Sequence, residues 1–388
     1  MTKPPTVLLF TDSHSLCGVG RFNASFLSAL CQSGYHAVSA QIKENTPLQE
    51  SLADQGVEYV WFERGPDIDV ATFANDRETP REIFKTVSPD LILFSNGVPP
   101  GTVGATEVAR EVSIPYVIRE GLVAPPLLEA DGQEIDLLRK NYLGAGQIVF
   151  VSQENRQVLQ QCLGFPEDFG VVVPSSAEDA FFEPVDFDRR GKLRREWGVP
   201  EDGILCFTTA QLETFKGHDV LLNAIFRLMS RPEWDRLHFV WAGIGSQETR
   251  LQEQIRLIGV DDRVRLLGYV WNVAELLDAA DLFVLPSQYE GLPHSIIEAM
   301  AKGLVPIATA VGGVPEIMHG CGTLLENSRD EEKCTANLTE AIVLWVNDAE
   351  GRRRAGEMAR SRVHGAYNDS TVMQKFLEIV RKEIATAR

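Results

Sequence analysis

The sequence predicts an α/β fold with two domains, each built on a parallel sheet covered by helices on both faces. Short apolar runs without strict alternation recur along the chain, which is typical of strands buried on both faces. Segments with helical periodicity fall between many of these runs. The length of 388 residues, with 44% hydrophobic and 24% charged residues, is typical of a globular chain of two or three domains.

The predicted strands succeed one another along the chain, separated by helical or polar segments. Most are apolar on both faces and short, so parallel pairing through intervening helices explains them best. In the first half they are Val7–Asp12, Ala37–Ile42, Glu58–Phe62, Asp90–Ser95, Pro115–Arg119, Ile148–Ser152 and Gly170–Pro174. In the second half they are Ile204–Ala210, His238–Gly243, Val264–Tyr269, Leu282–Pro286 and Val305–Thr309.

Two helices illustrate the periodicity between and after the strands. Asp219–Met229 places Leu221, Ile225 and Leu228 on one stripe. The closing segment, Tyr367–Ala387, is also predicted as a helix, because its apolar residues recur at helical spacing.

A domain boundary is expected between about Pro174 and Asp202, where the chain turns polar and has no predicted strand. We therefore assign residues 1–180 to an N-terminal Rossmann-like domain and 181–365 to a C-terminal one. Ligands of parallel sheets bind outside the carboxyl ends of the strands. Two such domains would accordingly bind their ligands in a cleft between them.

The net charge of −18 disfavours nucleic acid as a partner and gives no general attraction to an anionic membrane. Six scattered cysteines without a C-x-x-C pair are expected to be reduced thiols, which favours a cytoplasmic location. The amino terminus lacks the apolar core of a signal peptide, and no apolar run is long enough to span a membrane. Peripheral association with a membrane remains open.

Residues 189–195, Arg-Arg-Gly-Lys-Leu-Arg-Arg, form a strongly basic segment. One interpretation is a site for an anionic surface or an acceptor phosphate. The other is a solvated linker helix, because charge runs usually lie on solvated faces.

Late in the chain, Glu290 and Glu298 stand on either side of the sequence Gly291-Leu292-Pro293. Pro293 suits the first position of a helix, where its missing N–H is not needed. The amino end of that helix would offer N–H groups to an anion, and a carboxylate can accept hydrogen bonds from vicinal ribose hydroxyls. The alternative is that both glutamates are cap or surface residues.

The surrounding motifs resemble the nucleotide-sugar site of the retaining glycosyltransferases of family 4, which have the GT-B fold. The resemblance runs through 280–317, which includes Leu285-Pro286-Ser287, Glu298-Ala299-Met300 and Gly312-Gly313-Val314-Pro315-Glu316. Upstream, it includes Lys216-Gly217-His218-Asp219, Ala242-Gly243-Ile244-Gly245 and residues 262–268. The C-terminal half carries these motifs, and the N-terminal half fits the family only loosely.

The resemblance implies a role for each matching residue. Glu298 would bind the ribose hydroxyls of the donor, and Glu290 would face the transferred sugar. The backbone of Gly291 and Leu292 would contact the sugar and the diphosphate. Lys216 would neutralise the charge that develops on the leaving diphosphate. No D-x-D pair lies in the segments assigned to the cleft, so neither a metal nor a cofactor is expected.

The loop after the first strand contains Gly18-Val19-Gly20-Arg21. In the family this loop closes over the donor phosphates and the acceptor, which makes Gly18 and Gly20 donor-binding candidates and Arg21 and His14 acceptor-binding candidates. The alternative is a plain strand-to-helix turn, because a G-x-G without a third glycine is a weak signal. The family also implies that the terminal helix, about 366–388, crosses back to the first domain.

Three positions depart from the family pattern, and one of them, Ser175-Ser176 in place of the usual Asn-Gly, is expected to change only the local turn geometry. Gln211 stands where the family usually has an arginine, so the diphosphate loses a bidentate cationic partner. Arg21 or Arg119 is a candidate to supply that charge, and Arg119 is also a candidate for binding the acceptor. Glu120 stands where the family often has a histidine near the reacting sugar, and a carboxylate there is a candidate base or acceptor ligand.

The function that these residues favour is a retaining glycosyltransferase that uses a nucleoside-diphosphate sugar, a UDP-sugar by default, and a carbohydrate or other hydroxyl acceptor. One alternative is a GT-B enzyme of another reaction type, such as a sugar-nucleotide epimerase or a phosphorylase. A second is a non-catalytic protein that binds a nucleotide sugar, which the loss of the arginine at Gln211 makes worth testing.

Overall fold

A computed structural model describes residues 3–13, 17–42, 52, 54–62, 75–124, 132–326 and 330–387. The chain divides into two compact units. Unit 1 comprises Met1–Ser175 and Asp369–Arg388, and unit 2 comprises Ser176–Asn368. None of the helices within the described ranges is long and apolar enough to cross a membrane.

Unit 1 contains a seven-stranded parallel sheet in the order β3-β2-β1-β4-β5-β6-β7. Its strands are β1 Thr6–Thr11, β2 His36–Ile42, β3 Glu58–Phe62, β4 Leu91–Asn96, β5 Tyr116–Glu120, β6 Gln147–Phe150 and β7 Val171–Val172. Its helices are α1 Gly18–Gln32, α2 Glu78–Val87, α3 Val103–Glu111, α4 Gly132–Leu143, α5 Gln153–Leu163 and, at the end of the chain, α14 Asp369–Ala387.

The two faces of this sheet bury separate apolar clusters. One cluster contains Phe10, Phe94 and Tyr142. The other forms where α1 and α14 cover the opposite face, and there the Phe376 ring lies 4.8 Å from the Phe22 ring, measured between centroids. The last helix of the chain is therefore part of the core of unit 1.

Unit 2 contains a six-stranded parallel sheet in the order β10-β9-β8-β11-β12-β13. Its strands are β8 Ile204–Thr209, β9 Leu237–Ala242, β10 Val264–Leu266, β11 Leu282–Leu285, β12 Val305–Thr309 and β13 Thr323–Leu325. Its helices are α6 Phe187–Glu196, α7 His218–Leu228, α8 Glu248–Ile258, α9 Val273–Leu276, α10 His294–Ala301, α11 Val314–Met318, α12 Glu331–Asn347 and α13 Ala349–Val363.

The prediction of two parallel α/β sheets is confirmed, and most strands begin and end within a residue or two of the expected positions. Two strands end earlier than predicted for a visible reason. β9 has the predicted length but ends one residue early, before Gly243, and β10 ends three residues early, before Gly268; the φ angles of these glycines, 149° and 66°, leave the strand region. The sequence analysis missed β13, a three-residue edge strand that is too short to show a period.

The solvated-linker-helix interpretation of 189–195 is correct only in part. These residues lie in the helix α6, and Lys192 and Arg195 are exposed on it. Two other arginines fix the helix to the rest of unit 2: Arg190 Nη2 lies 2.5 Å and Arg194 Nη1 2.9 Å from the two carboxylate oxygens of Asp281. Arg194 also donates to the carbonyl oxygens of Ala279 and Gly203. Arg190 and Arg194 therefore act as a structural clamp, because their charges are paired within the unit.

Candidate functional site

The carboxyl end of the unit 2 sheet contains a topological switch point between β8 and β11. From β8 the chain first adds β9 and β10 on one side and then returns to add β11 and β12 on the other. The loops that follow β8 and β11 consequently leave the sheet side by side, which is where ligands of α/β sheets bind. Gln288 N–H donates to the Phe215 carbonyl oxygen over 2.7 Å, so the two loops are bonded to each other.

Gly217 makes this close approach of the two loops feasible. Its φ angle is 73°, and a Cβ atom at this position would lie 2.0 Å from the Pro286 carbonyl oxygen. Only glycine fits both the left-handed conformation and the contact. This requirement explains why a glycine directly follows Lys216.

Lys216 and Glu290, two predicted catalytic residues, meet at this switch point. Lys216 Nζ lies 2.8 Å from Glu290 Oε1, although 74 residues separate them along the chain. Their side chains are 16% and 7% exposed. A charged pair with so little solvent around it interacts more strongly than a surface ion pair.

The turn after Glu290 contains Gly291 and Leu292 and leads into α10. The prediction that Pro293 is the first helical residue is wrong by one position: Pro293 is the N-cap, with φ −68° and ψ 123°. Its carbonyl oxygen accepts the Ile296 N–H over 3.2 Å, so the helix starts at His294. His294 Nδ1 lies 2.7 Å from the Ser176 carbonyl oxygen, which anchors the amino end of α10.

Glu298 lies in the second turn of α10 and is only 3% exposed. The following loop, after β12, packs directly on the turn that contains Glu290. Gly312 has a φ angle of 56°, and a Cβ atom there would lie 2.0 Å from the Glu290 carbonyl oxygen. Gly313 N–H donates to the Gly291 carbonyl oxygen over 2.5 Å. The two glycines thus hold the backbone of the turn that presents Glu290.

Gln211 follows β8 at the same edge of the sheet and is exposed. The neighbouring backbone is held by the loop after β9: Leu212 N–H donates to the Ile244 carbonyl oxygen over 2.9 Å. A Cβ atom on Gly243 would lie 1.9 Å from the Ala210 carbonyl oxygen. The side chain at 211 is therefore presented from a rigid turn, but without the charge that an arginine would bring.

The sequence analysis assigned no role to His218, the first residue of α7. The ring is buried, neither nitrogen has a hydrogen-bond partner in the part of the chain that the structure describes, and the ring centroid lies 5.3 Å from that of Trp241. Burial, with a smaller contribution from Lys216, lowers the pKa of His218 to about 4. His218 is therefore neutral at physiological pH. In the sequence, its position directly after Lys216-Gly217 was the feature that could have indicated its place at this site.

Unit 1 has its own switch point, between β1 and β4. Here α1 begins at Gly18, so Gly18, Gly20 and Arg21 all lie in its first turn. A Cβ atom on Gly121, which follows β5, would lie 3.3 Å from Val19. The G-x-G segment therefore lies next to the carboxyl end of β5. His14 falls outside the described residues.

The sequence analysis treated Asp12 only as the end of a strand, yet its carboxylate organises this edge. Asp12 Oδ1 accepts the Gly97 N–H over 2.8 Å, and a Cβ atom on Gly101 would lie 1.9 Å from Oδ2. Burial raises the pKa of Asp12 to about 6, against the lowering effect of the hydrogen bond from Gly97. In the sequence, the feature that could have indicated this role was a carboxylate at the carboxyl end of the first strand.

Arg119 is 2% exposed, and its guanidinium carbon lies 3.9 Å from the centre of the Phe22 ring in α1. The buried Nη1 has no hydrogen-bond partner among the described residues. Burial lowers the pKa of Arg119 to about 10, with Glu120 opposing that shift. The guanidinium is thus still charged at neutral pH beneath the first turns of α1.

Glu120 is completely buried. Its Oε1 accepts hydrogen bonds from Asn96 Nδ2–H over 2.9 Å and from the Tyr142 hydroxyl over 2.5 Å, while Oε2 has no partner within the described ranges. Burial is the main cause that raises the pKa of Glu120 to about 8. The structure therefore encloses this side chain under the edge of the sheet, largely protonated at neutral pH, instead of exposing it as an ionised base.

Comparison with known families agrees with this geometry. Residues 189–362 match the family model for glycosyl transferases group 1. This region of the chain is therefore similar to the group 1 glycosyltransferases. The match covers α6 to α13 and hence both switch-point loops of unit 2, and it confirms the resemblance inferred from the motifs.

Curated relatives include mannosylfructose-phosphate synthase of Agrobacterium fabrum, 33% identical over 232 residues, which are 55% of this chain and 49% of the relative. N-acetyl-alpha-D-glucosaminyl L-malate synthase of Bacillus anthracis is 26% identical over 186 residues, or 48% of this chain and 47% of the relative. The chain thus spans about half the length of the curated relatives it matches.

Solved structures resemble the chain over nearly its whole length. Anabaena HepE in complex with UDP has a TM-score of 0.79 and 17% identity, covering 97% of this chain and 100% of that protein. Sucrose-phosphate synthase from Thermosynechococcus elongatus has a TM-score of 0.78 and 18% identity, covering 98% and 100%. At this level of identity the likeness shows the GT-B fold.

Proposed function

We propose that the chain is a glycosyltransferase that moves a sugar from a nucleoside-diphosphate sugar to a hydroxyl acceptor, with retention of configuration and without a metal. The observation that carries the proposal is the pair of Lys216 Nζ and Glu290 Oε1, 2.8 Å apart at the switch point of unit 2. Charge of both signs at one ligand-binding edge suits a donor that has both an anionic diphosphate and a neutral sugar.

The diphosphate would be held by Lys216 and by the amino end of α10. The first N–H groups of a helix have no acceptor within the helix, and the helix dipole favours an anion there. Pro293 as N-cap offers no capping side chain that would occupy these donors. As the nucleotide leaves, the ammonium and the N–H groups stabilise the growing negative charge.

The sugar and the ribose would be held by the two glutamates. Glu290, released from Lys216 by the incoming phosphates, would accept hydrogen bonds from sugar hydroxyls. Glu298 would accept hydrogen bonds from the ribose. The base would lie near residues 268–273, where the exposed Trp271 ring lies 4.9 Å from that of Tyr269. HepE was crystallised with UDP and with UDP-glucose, so a UDP-sugar is the first donor to test.

Retention requires that the new bond form on the face that the leaving group vacates. The acceptor oxygen would bond to the anomeric carbon as the bond from that carbon to the phosphate oxygen breaks. The acceptor's proton would pass to the departing phosphate, so no separate base is needed. The family resemblance supports this course, and the reaction is proposed to take place in the cytoplasm.

The test is incubation with UDP-, GDP- and ADP-linked sugars, detection of the released nucleotide, and determination of the anomeric configuration of the product by NMR. Release of one nucleotide with a retained product supports the proposal, and an inverted product contradicts the retaining course. Tight donor binding without turnover would favour a non-catalytic binding protein. Undiminished turnover after exhaustive chelation is expected, because the proposed site uses no metal.

A further inference from the structure

The chain passes to unit 1 at both ends of unit 2, which are Ser176 and Asn368. These ends lie side by side, because Ala177 forms a parallel β-bridge with Asn368 and its N–H donates to the Tyr367 carbonyl oxygen over 2.9 Å. Ser176 and Ala177 are 3% and 2% exposed. The two ends therefore form one buried, hydrogen-bonded segment, and we call these four residues the paired ends of unit 2.

His294 joins the paired ends to the helix that is proposed to hold the donor diphosphate. It is the first residue of α10, and its Nδ1 lies 2.7 Å from the Ser176 carbonyl oxygen, 118 positions away along the chain. A carbonyl oxygen can only accept a hydrogen bond, so Nδ1 carries a proton and is the donor. The first side chain of the helix is thus bonded to the backbone of the paired ends.

A second element of the proposed donor site is held from the same part of the chain. Arg362 lies in the last turn of α13, the helix that leads to the carboxyl end of unit 2. Its guanidinium donates to the carbonyl oxygens of Glu316 and Ile317 over 2.7 and 2.6 Å. These carbonyls lie at the carboxyl end of α11, where a cation stabilises a helix. Segments leading to both ends of unit 2 therefore hold elements of the site.

His294 differs from Arg362 in that its own backbone belongs to the proposed diphosphate site. Its N–H is one of the first groups of α10, which have no acceptor within the helix. Helix ends fray, and an anion bound to these groups orders the first turn. The imidazole extends from this turn to Ser176. One residue consequently contacts the proposed anion site through its backbone and the paired ends through its ring.

We propose that His294 is a positioning residue of the donor site, which couples binding of the diphosphate to the pairing of the two ends of unit 2. The diphosphate orders the first turn of α10, and the hydrogen bond from His294 to Ser176 stabilises the paired ends in turn. By reciprocity, formed paired ends strengthen nucleotide binding by the same factor. The inference rests on the proposed function, because it requires a diphosphate at the amino end of α10.

Hydrogen exchange of the intact chain, measured by mass spectrometry with UDP, GDP and ADP as probes, tests this coupling. The Ala177 N–H is bonded to Tyr367, so it exchanges only when the paired ends open. The nucleotide that binds most tightly is expected to slow exchange of the peptide that contains Ala177 about 3–10-fold, the effect of one hydrogen bond. Nucleotide binding without any slowing of this peptide would overturn the proposal.

Replacement of His294 separates coupling from simple anchoring. In His294→Ala the nucleotide should no longer slow exchange at Ala177, and its Kd should rise by the same factor that the slowing loses. An anchor alone would speed exchange with and without nucleotide and leave the slowing factor unchanged. His36→Ala is the matched control and should behave as the wild type, because the His36 ring is also hydrogen-bonded, to Glu58 over 3.0 Å, but in unit 1.

Two conservative variants decide the question if His294→Ala does not fold. His294→Asn places an amide N–H close to the position of Nδ1 and should restore both the slowing and the affinity, whereas His294→Gln places it near Nε2 and should restore neither. Undiminished slowing in His294→Gln would overturn the proposal. Failure of all three nucleotides to bind the wild type would instead refute the proposed donor site and with it the proposed function.

Discussion

The two units have the same architecture and the same kind of switch point, but they treat charge there in opposite ways. In unit 2 the switch point presents Lys216 and Glu290 as an ion pair whose side chains remain 16% and 7% exposed. In unit 1 the equivalent edge encloses Arg119 and Glu120 and partly buries Asp12. Burial raises the pKa of both carboxyl groups there and lowers that of the arginine.

The difference shows that a parallel sheet supplies a place for a ligand but not the chemistry. The Lys216–Glu290 pair is largely shielded from solvent, so a charged ligand would have to replace one partner of the pair when the other moves away. Arg119 and Glu120 are enclosed more completely, so their protonation is set by burial. In the proposed function, the charge that develops during transfer is accordingly stabilised at the unit 2 edge.

Replacement of Lys216 is expected to have the largest effect, because it removes the cation of the unit 2 edge and leaves the unit 1 edge unchanged. Lys216→Ala is expected to lower kcat about 10²–10³-fold, the effect of removing one preorganised group that stabilises a developing oxyanion. Steady-state kinetics with the preferred donor measures it. Lys333→Ala, which breaks the exposed pair of Lys333 with Glu326 in the same unit, is the control and should retain wild-type kcat. Near-normal turnover by Lys216→Ala would show that Lys216 does not stabilise the negative charge that develops on the leaving diphosphate.

The buried carboxyl of Glu120 should make the stability of unit 1 pH-dependent. Its pKa is about 8 in the folded chain, against an ordinary value of 4.5. Between these two pH values the folded state binds more protons than the unfolded state. The free energy of unfolding therefore falls as the pH rises from 4.5 to 8. The steepest slope is about 1.4 kcal/mol per pH unit, and a loss of about 3–4 kcal/mol from pH 5 to 8 is expected.

Urea unfolding of Glu120→Gln measures this effect, since the glutamine cannot titrate and its pH profile should be flatter. Glu111→Gln is the control: hydrogen bonds from Arg81 and Arg77 lower the pKa of Glu111, so it does not titrate in this range. Parallel profiles for wild type and Glu120→Gln would show that the carboxyl is ionised in the folded chain.

The stability of the chain should be sensitive to a single methyl group at Gly312, which packs against the backbone of Glu290. Gly312→Ala places a Cβ atom 2.0 Å from the Glu290 carbonyl oxygen at a φ angle of 56°. A destabilisation of about 2 kcal/mol is expected from the backbone strain alone. Gly320→Ala has a similar φ angle of 75° and no atom within 4 Å, so the difference between the two variants isolates the close approach. Equal stability of the two variants would contradict the tight packing on the turn.

The smallest expected effect concerns Glu298 and the ribose. Glu298→Gln should weaken UDP binding about tenfold, because a charge-assisted hydrogen bond becomes a neutral one. Calorimetry with UDP and with 2′-deoxy-UDP tests the contact: the variant should lose less affinity for the deoxy compound. The same loss for both nucleotides would place Glu298 away from the 2′-hydroxyl.

Much of the fold could be predicted because strands buried on both faces are recognisable in the sequence. The apolar runs identified β1, β4, β8, β11 and β12 almost to the residue. β13 and the clamp role of α6 could not be predicted. A three-residue strand has no period, and the arginines of α6 are paired by Asp281, which lies 87 residues after Arg194.

The sequence by itself determined the family motifs, the parallel α/β class and the candidates Lys216, Glu290 and Glu298, because these depend on residue types and local spacing. Tertiary structure decided which candidates meet and which are enclosed. Lys216 reaches Glu290 only because β11 pairs with β8, a long-range pairing that no local pattern encodes. Arg119 and Glu120 became buried ionisable groups because helices cover both faces of β5, and burial shifts the pKa of each toward its neutral form.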